Sequence, residues 1–224
     1  MPELPEVEAA RLLAAEHLVG KTLTSVRAAD DVKLFGPAAG KDFSALVGRT
    51  LTSTGRHGKN MWLSFGGKGE AAPTTSTSTP TSLSLAFHFG MTGSLAVRGV
   101  GRVQYVNSGP VDNAVWPPPF TKLELEFSDG KGGGKGGKGG GNTTVSAYAD
   151  PRRFGKVRLV ADPRAGLPSG RDVLTDPLSP DQLGAALAKA GSKMLKPLLM
   201  DQAFMAGAWI ARGGAQQRRG RGRR

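Results

Sequence analysis

The chain has no cysteine, only three histidines and few aromatic residues, the last making up 6% of its 224 positions. Without cysteine there is no disulfide framework and no thiolate-bound zinc. His17, His57 and His88 are too scattered to suggest a metal cluster, so neither a metal site nor a cofactor is expected. No apolar run approaches the roughly 18 residues of a spanning helix, so no membrane partner is expected. The opening Met1-Pro2-Glu3-Leu4-Pro5-Glu6-Val7-Glu8 is acidic where an export or transit signal is basic. These absences point to a soluble intracellular monomer.

Acid is scarce too: 18 Asp and Glu against 30 Lys and Arg leave a net charge of +12. The excess is localised. Six arginines in residues 212–224, with Lys131, Lys135 and Lys138, carry nine of those twelve charges, so the rest of the chain is close to balanced. Such basicity favours a polyanionic partner and a nuclear location but specifies no site.

Three stretches lack the composition of a core: a Ser/Thr/Pro-bearing segment at 66–82, a Gly/Lys run at 130–142 and the Arg/Gly-rich tail at 212–224. The first two are flanked by strand-like alternation and read as loops within one domain; the tail reads as disordered. The Gly/Lys run lacks the closing Gly-Lys-Ser/Thr of a phosphate loop. Leu83, Leu85, Phe87 and Phe89 share one face of an alternating segment, and Leu123, Leu125 and Phe127 repeat the pattern with Glu124 and Glu126 outward. Weaker strands are expected at 22–27, 50–54, 61–65, 145–148 and 156–160. Helices bracket them. One starts at Pro5, runs through Val7, Ala10, Ala14 and Leu18 and stops at Gly20; another has Ser179 as N-cap, Pro180 at N1 and Gln182 at N3, with Leu183, Ala186, Leu187 and Ala190 as its stripe. A short apolar segment follows at 194–200. The expected class is α+β, with enough short strands for a sandwich or barrel.

The first residues carry the chemistry. Removal of Met1 before a small residue leaves Pro2 as a secondary amine, with an ordinary α-amino pKa of about 7.7 to 8. Such an amine can attack a sugar C1′ and form an iminium, an electron sink suited to cleaving a glycosidic bond and then eliminating phosphate. Glu3 and Glu6 are near enough in sequence to move protons for that reaction, although proline and glutamate are also ordinary residues at a helix start.

The string Pro2-Glu3-Leu4-Pro5-Glu6-Val7-Glu8 resembles the N-terminus of the formamidopyrimidine-DNA glycosylase and endonuclease VIII family. Three more motifs resemble that family in the same order: Gly55-Arg56-His57-Gly58-Lys59-Asn60, His88-Phe89-Gly90-Met91-Thr92-Gly93-Ser94-Leu95 and Asp150-Pro151-Arg152-Arg153-Phe154-Gly155. The loop insertions look closest to plant or algal members. The resemblance implies a β-sandwich catalytic domain over 1–160 and a helix-two-turn-helix-like region over 172–211. It also implies base-excision repair of oxidised purines, with damaged duplex or abasic DNA as the partner. Pro2 becomes the Schiff-base nucleophile, Glu3 the general acid and Glu6 a second active-site carboxylate. Lys59 becomes a phosphate ligand and proton donor in elimination, and His88 a residue beside the phosphate backbone. Met91, Arg152 and Phe154 fill the space of the extruded nucleotide; Arg152 and Phe154, two apart, would share a face if extended.

After Asp201-Gln202 the pattern departs from the family, whose asparagine-bearing turn, second helix and zinc finger are not matched by Ala203-Phe204-Met205-Ala206-Gly207-Ala208-Trp209-Ile210. The expectation is an incomplete helix-two-turn-helix region with no zinc finger and with Phe204, Trp209 and Ile210 exposed. Lyase activity is then expected to exceed excision from duplex, and elimination to stop after the first phosphate. The alternatives are a catalytically weak nucleic-acid-binding protein or an inactive truncated isoform.

Overall fold

The computed structural model describes residues 2–37, 43–68, 82–103, 115–129 and 142–208. Most of the 66–82 loop, nearly all of 130–142, Trp209, Ile210 and the 212–224 tail lie outside the described residues. The chain divides into two compact units, Met1–Leu167 and Pro168–Arg224.

The first unit opens with helix α1 (Leu4–Leu18), one residue earlier than Pro5 alone indicates, because Glu3 occupies the N-cap. The buried face of α1 is Leu4, Val7, Ala10, Ala14 and Leu18, a spacing of three and four that aligns one stripe on a 3.6-residue period. Nine strands follow: β1 (Thr22–Ala28), β2 (Arg49–His57), β3 (Asn60–Lys68), β4 (Leu83–His88), β5 (Ser94–Val97), β6 (Gly101–Arg102), β7 (Thr121–Ser128), β8 (Thr143–Ala149) and β9 (Lys156–Val160). A short helix α2 (Val32–Phe35) and a 3-10 turn (Phe43–Leu46) lie between β1 and β2. The result is a mixed α+β fold, mostly antiparallel sheet with few helices.

Strand order is β6-β5-β8-β7-β1-β2-β3-β4-β9, and every pairing is antiparallel. The join at β1–β2 is slender, with Thr22 opposite Thr50 as its pairing, so the sheet is two halves meeting at one seam. Those halves pack against each other: Phe65 of β3 stacks on Phe127 of β7 with centroids 6.4 Å apart, and Phe87 of β4 meets Tyr148 of β8 at 5.5 Å. Leu23, Leu51, Leu63, Leu85, Leu123 and Leu125 fill the space between, beneath α1.

The alternation expected in β4 and β7 is present, with Leu85 and Phe87, and Leu123, Leu125 and Phe127, buried. Strand β5 has no such signal, since Ser94, Leu95, Ala96 and Val97 are all buried and a strand covered on both faces does not alternate.

The second unit contains helices α3 (Pro180–Ala190) and α4 (Leu195–Met200), and a two-stranded parallel pair, β10 (Arg171–Asp172) with β11 (Met205–Ala206). The capping box forms as expected: Ser179 Oγ accepts the Gln182 N–H at 3.2 Å and Gln182 Oε1 accepts the Ser179 N–H at 3.0 Å. The apolar stripe of α3 is present, since Leu183, Ala186, Leu187 and Ala190 are half-buried while the rest of residues 181–190 are exposed, but none of the four is fully buried. So small a segment has little interior in which to bury them. Phe204 is also half-buried rather than exposed.

Candidate active site and nucleic-acid interface

Sheet register gathers the first group of site residues. His57 pairs with Asn60 across the β2–β3 hairpin, Asn60 with His88, and His88 with Lys156, so the turn residue Lys59, the end of β4 and the start of β9 lie at one edge of the fold. Gly58 opens that two-residue turn with φ +56°, a conformation a side chain disfavours and one that matches the twist of a tight hairpin.

The N-terminus meets this edge. Pro2 is buried and, with Lys59, His88, Phe89 and Gly90, lines a cavity of about 60 Å³. That volume holds a few waters rather than a nucleoside, so only the reacting end of a substrate reaches it. Glu6 Oε2 accepts the Glu3 N–H at 3.0 Å, which fixes the backbone next to Pro2 and gives Glu6 a positioning contact within the site. Glu3 Oε2 is buried, accepts no hydrogen bond among the described residues and lies 3.6 Å from Lys59 Nζ. The Lys59 side chain beside this oxygen offsets part of the cost of burying it.

His88 Nδ1 accepts the Gly90 N–H at 3.2 Å. Desolvation, and then the positive charge of Lys59, hold its pKa below the ordinary histidine value. At neutral pH the ring is uncharged, with its proton on Nε2, where it can serve as a hydrogen-bond donor but not as a cation.

Sequence reasoning gave no role to the residues that hold Lys59. The Arg56 side chain is 1% exposed; its Nε donates to Glu8 Oε2 at 2.8 Å and Nη1 donates to the Gly58 carbonyl at 2.8 Å. Glu8 also binds Arg11, whose Nη1 reaches Thr54 Oγ1 at 3.2 Å. One carboxylate thereby ties α1 to the hairpin that presents Lys59. The available signal was an arginine that follows Gly55 in a strand that also buries Leu51: an arginine buried there needs an acid partner. Hydrogen bonding from Arg11, opposed by desolvation and joined by Arg56, holds the Glu8 pKa below its usual range. A depressed folded value means stability that is complete above the unfolded value of about 4.3 and lost as pH falls through the folded value. Glu8→Gln leaves a buried guanidinium unbalanced and should cost on the order of 3 kcal/mol at neutral pH. It should also flatten the acid side of a plot of melting temperature against pH, and calorimetry between about pH 7 and pH 3 checks both effects.

Met91, Arg152 and Phe154 form a second group. Gly90 has φ +61° and carries Met91 out of β4 into a turn, where Met91 is 38% exposed. Phe154 is 44% exposed. A Cβ on Gly90 would stand 2.4 Å from the Phe154 carbonyl carbon, so only glycine lets these loops touch. Buried Asp150 clips them: Oδ1 accepts Thr92 Oγ1 at 2.6 Å, and Oδ2 accepts the Gly155 N–H at 2.8 Å. The expectation that Arg152 and Phe154 share the face of an extended segment is corrected. Arg153 between them has φ +57°, and the chain turns there. The two still meet, because the Arg152 guanidinium lies 5.1 Å from the Phe154 ring centroid. Gly90 joins the groups, lining the Pro2 cavity on one side and abutting Phe154 on the other.

A buried proline at position 2 beside a Lys–Glu pair, at the end of an antiparallel sheet and next to paired loops with an exposed Met and Phe, defines a class of site. Residues 1–157 match the model of the formamidopyrimidine-DNA glycosylase N-terminal domain, and the chain belongs to that family. It is 36% identical over 217 residues to the formamidopyrimidine-DNA glycosylase of Arabidopsis thaliana, covering 94% of this chain and 48% of the relative. It is 33% identical over 161 residues to the Mycobacterium ulcerans protein of the same name, covering 71% of this chain and 44% of that one. The fold resembles that of Lactococcus lactis Fpg in a complex with DNA containing an abasic site, with a TM-score of 0.57, 19% identity and coverage of 92% of this chain and 63% of that one. The chain thus spans about half the length of these two sequence relatives.

Proposed function

We propose that this chain is a DNA glycosylase and abasic-site lyase acting on oxidised purines, with the β-sandwich of its first unit as the catalytic part and residues 172–211 as a partial helix-two-turn-helix-like region. The observation that carries the reading is the buried Pro2 on a cavity shared with Lys59 and His88, with Glu3 paired to that lysine.

The steps balance on these groups. The Pro2 nitrogen lone pair forms a bond to C1′, the glycosidic bond breaks, and the base departs with its electron pair and takes up a proton. Glu3 protonates the ring oxygen as the sugar opens, and the nitrogen gives up its own proton to become an iminium. The iminium acidifies C2′, whose proton is lost as the C3′–O bond breaks and phosphate leaves; water then releases Pro2. Lys59 and neutral His88 serve the flanking phosphate. Met91, Arg152 and Phe154 fill the space of the extruded nucleotide, Phe154 as a wedge and Arg152 as a donor to the orphaned base.

The test is incubation of Met1-processed protein with single-stranded abasic DNA and with duplexes carrying 8-oxoguanine or a formamidopyrimidine. Cleavage of the preformed abasic site should be faster, since no base has to leave the stack. Equal rates on the two substrates contradict that ordering, and binding to all of them without cleavage supports the binding-only reading instead.

A further inference from the structure

Arg153 stands between two side chains assigned to the DNA helix, and an arginine so placed is ordinarily read as a phosphate ligand. Its geometry says otherwise. The Arg153 side chain is 48% exposed, but its guanidinium is already engaged by a carboxylate, with Nε donating to Asp31 Oδ2 at 2.7 Å and Nη2 to Asp31 Oδ1 at 2.9 Å, the two-pronged arrangement that guanidinium and carboxylate favour. Asp31 is 3% exposed, so the fork ties a surface arginine to a buried carboxylate. The carboxylate also accepts the Leu34 N–H at 3.3 Å as the cap of α2 and lies 3.2 Å from Lys122 Nζ. Hydrogen bonding from Arg153 is the largest influence on Asp31 and holds its pKa below the ordinary range, so it is ionised at neutral pH.

The same short segment touches the loop twice more. Lys33 Nζ lies 4.6 Å from the centroid of the Phe154 ring, and Lys156 Nζ donates to the Lys33 carbonyl at 2.6 Å. Leu34 and Phe35 are buried, which roots the segment in the core. Arg153 also holds φ +57°, a left-handed backbone that is unfavourable for a residue with a Cβ and persists only where surrounding contacts impose it. The Asp31 fork is one such contact, beside the Asp150 carboxylate on the Gly155 N–H and Thr92 Oγ1 on the Arg152 N–H. With Arg153 held by Asp31, its exposed neighbours Arg152 and Phe154 stack on one another.

We propose that Asp31 and Arg153 form a brace, 122 residues apart in sequence, that sets Arg152 and Phe154 in the posture for entering the DNA stack, and that Arg153 is a positioning residue rather than a phosphate ligand. The inference rests on the reading of Arg152 and Phe154 as DNA-inserting residues.

The test compares the full chain with Asp31→Asn, Arg153→Lys and the double variant. Binding is measured to a duplex with a tetrahydrofuran abasic analogue and 2-aminopurine opposite it, whose fluorescence reports unstacking, over a range of salt. Arg153→Lys keeps the charge but loses the fork, which a phosphate contact tolerates and a brace does not. The expected result is that each single variant loses most of the 2-aminopurine signal and about tenfold in affinity, and that the double variant is no worse than either, as for two ends of one contact. The salt dependence should stay unchanged, and thermal melts should show all three variants folded. The proposal is overturned if Arg153→Lys behaves as wild type, if Asp31→Asn has no effect, or if the wild-type chain binds without unstacking the probe. Borohydride trapping on single-stranded abasic DNA is read separately: its absence in the wild type counts against the lyase reading, while the duplex assay still decides the brace.

Discussion

Protein that retains Met1 should not cleave abasic DNA, whereas the same chain with Pro2 exposed should cleave it. With Met1 in place the Pro2 nitrogen is a tertiary amide whose lone pair is delocalised into the carbonyl, and it can neither attack C1′ nor become an iminium. Lys59, the other amine lining the cavity among the described residues, is engaged with Glu3 at 3.6 Å and so is poorly placed to replace it. The loss in cleavage rate should be on the order of 10³-fold or more, as when the nucleophile of a covalent mechanism is removed. A gel assay on a single-stranded abasic oligonucleotide, with mass spectrometry to score Met1 removal, checks this. Equal rates for the two forms would remove Pro2 from the mechanism.

Glu3→Gln should separate the two halves of the reaction. The amide keeps the size of the carboxylate and can retain the N-cap backbone geometry, since the Glu6 contact is to the Glu3 main-chain N–H. It can no longer give up or take a proton. Base excision and ring opening depend on that proton and should slow by about 10² to 10⁴. Elimination from a preformed abasic site, which begins largely from the open aldehyde, should slow much less. The substitution also removes the charge beside Lys59, so a small change in affinity for the flanking phosphate is expected. Comparing cleavage of an 8-oxoguanine duplex with that of an abasic duplex gives the ratio directly. Parallel losses on both substrates would mean that Glu3 supports the fold or binding rather than proton transfer.

What the amino-acid sequence revealed and what it hid divide along a physical line. Short-range features were legible. The alternation in β4 and β7, the stripe of α1 and the capping box at Ser179 depend on neighbours within a few residues, and each is present. Strand β5 was not legible, because burial on both sides erases the alternation that marks a strand. The residues singled out for chemistry do come together in two adjoining groups, but what holds them in place lies far off in sequence. Glu8 meets Arg56 across 48 residues, Thr92 meets Asp150 across 58, and Asp31 meets Arg153 across 122. No periodicity announces such pairs. The extended segment on which Arg152 and Phe154 would have shared a face is interrupted by the turn at Arg153, and the Asp31 contact made there is one that local pattern cannot see.

These buttresses also explain how a small cavity can direct chemistry on a large substrate. On the proposed reading a cavity of about 60 Å³ takes in no more than the reacting end of the sugar, and the rest of the nucleotide would be placed by side chains around it. Gly90 is the hinge of that arrangement: it lines the Pro2 cavity, gives its N–H to His88 and abuts the backbone of Phe154. A shift in either loop is therefore felt at the nucleophile.

The most direct test of Pro2 as nucleophile is borohydride reduction of Met1-processed protein mixed with an abasic oligonucleotide, followed by peptide mapping of the cross-link. The account predicts a covalent adduct on the Pro2 nitrogen that is lost in Pro2→Gly, where the buried ring that orients the amine is gone and the chain end gains glycine's freedom. An adduct mapped to Lys59, or no adduct from protein shown to be folded, would contradict it.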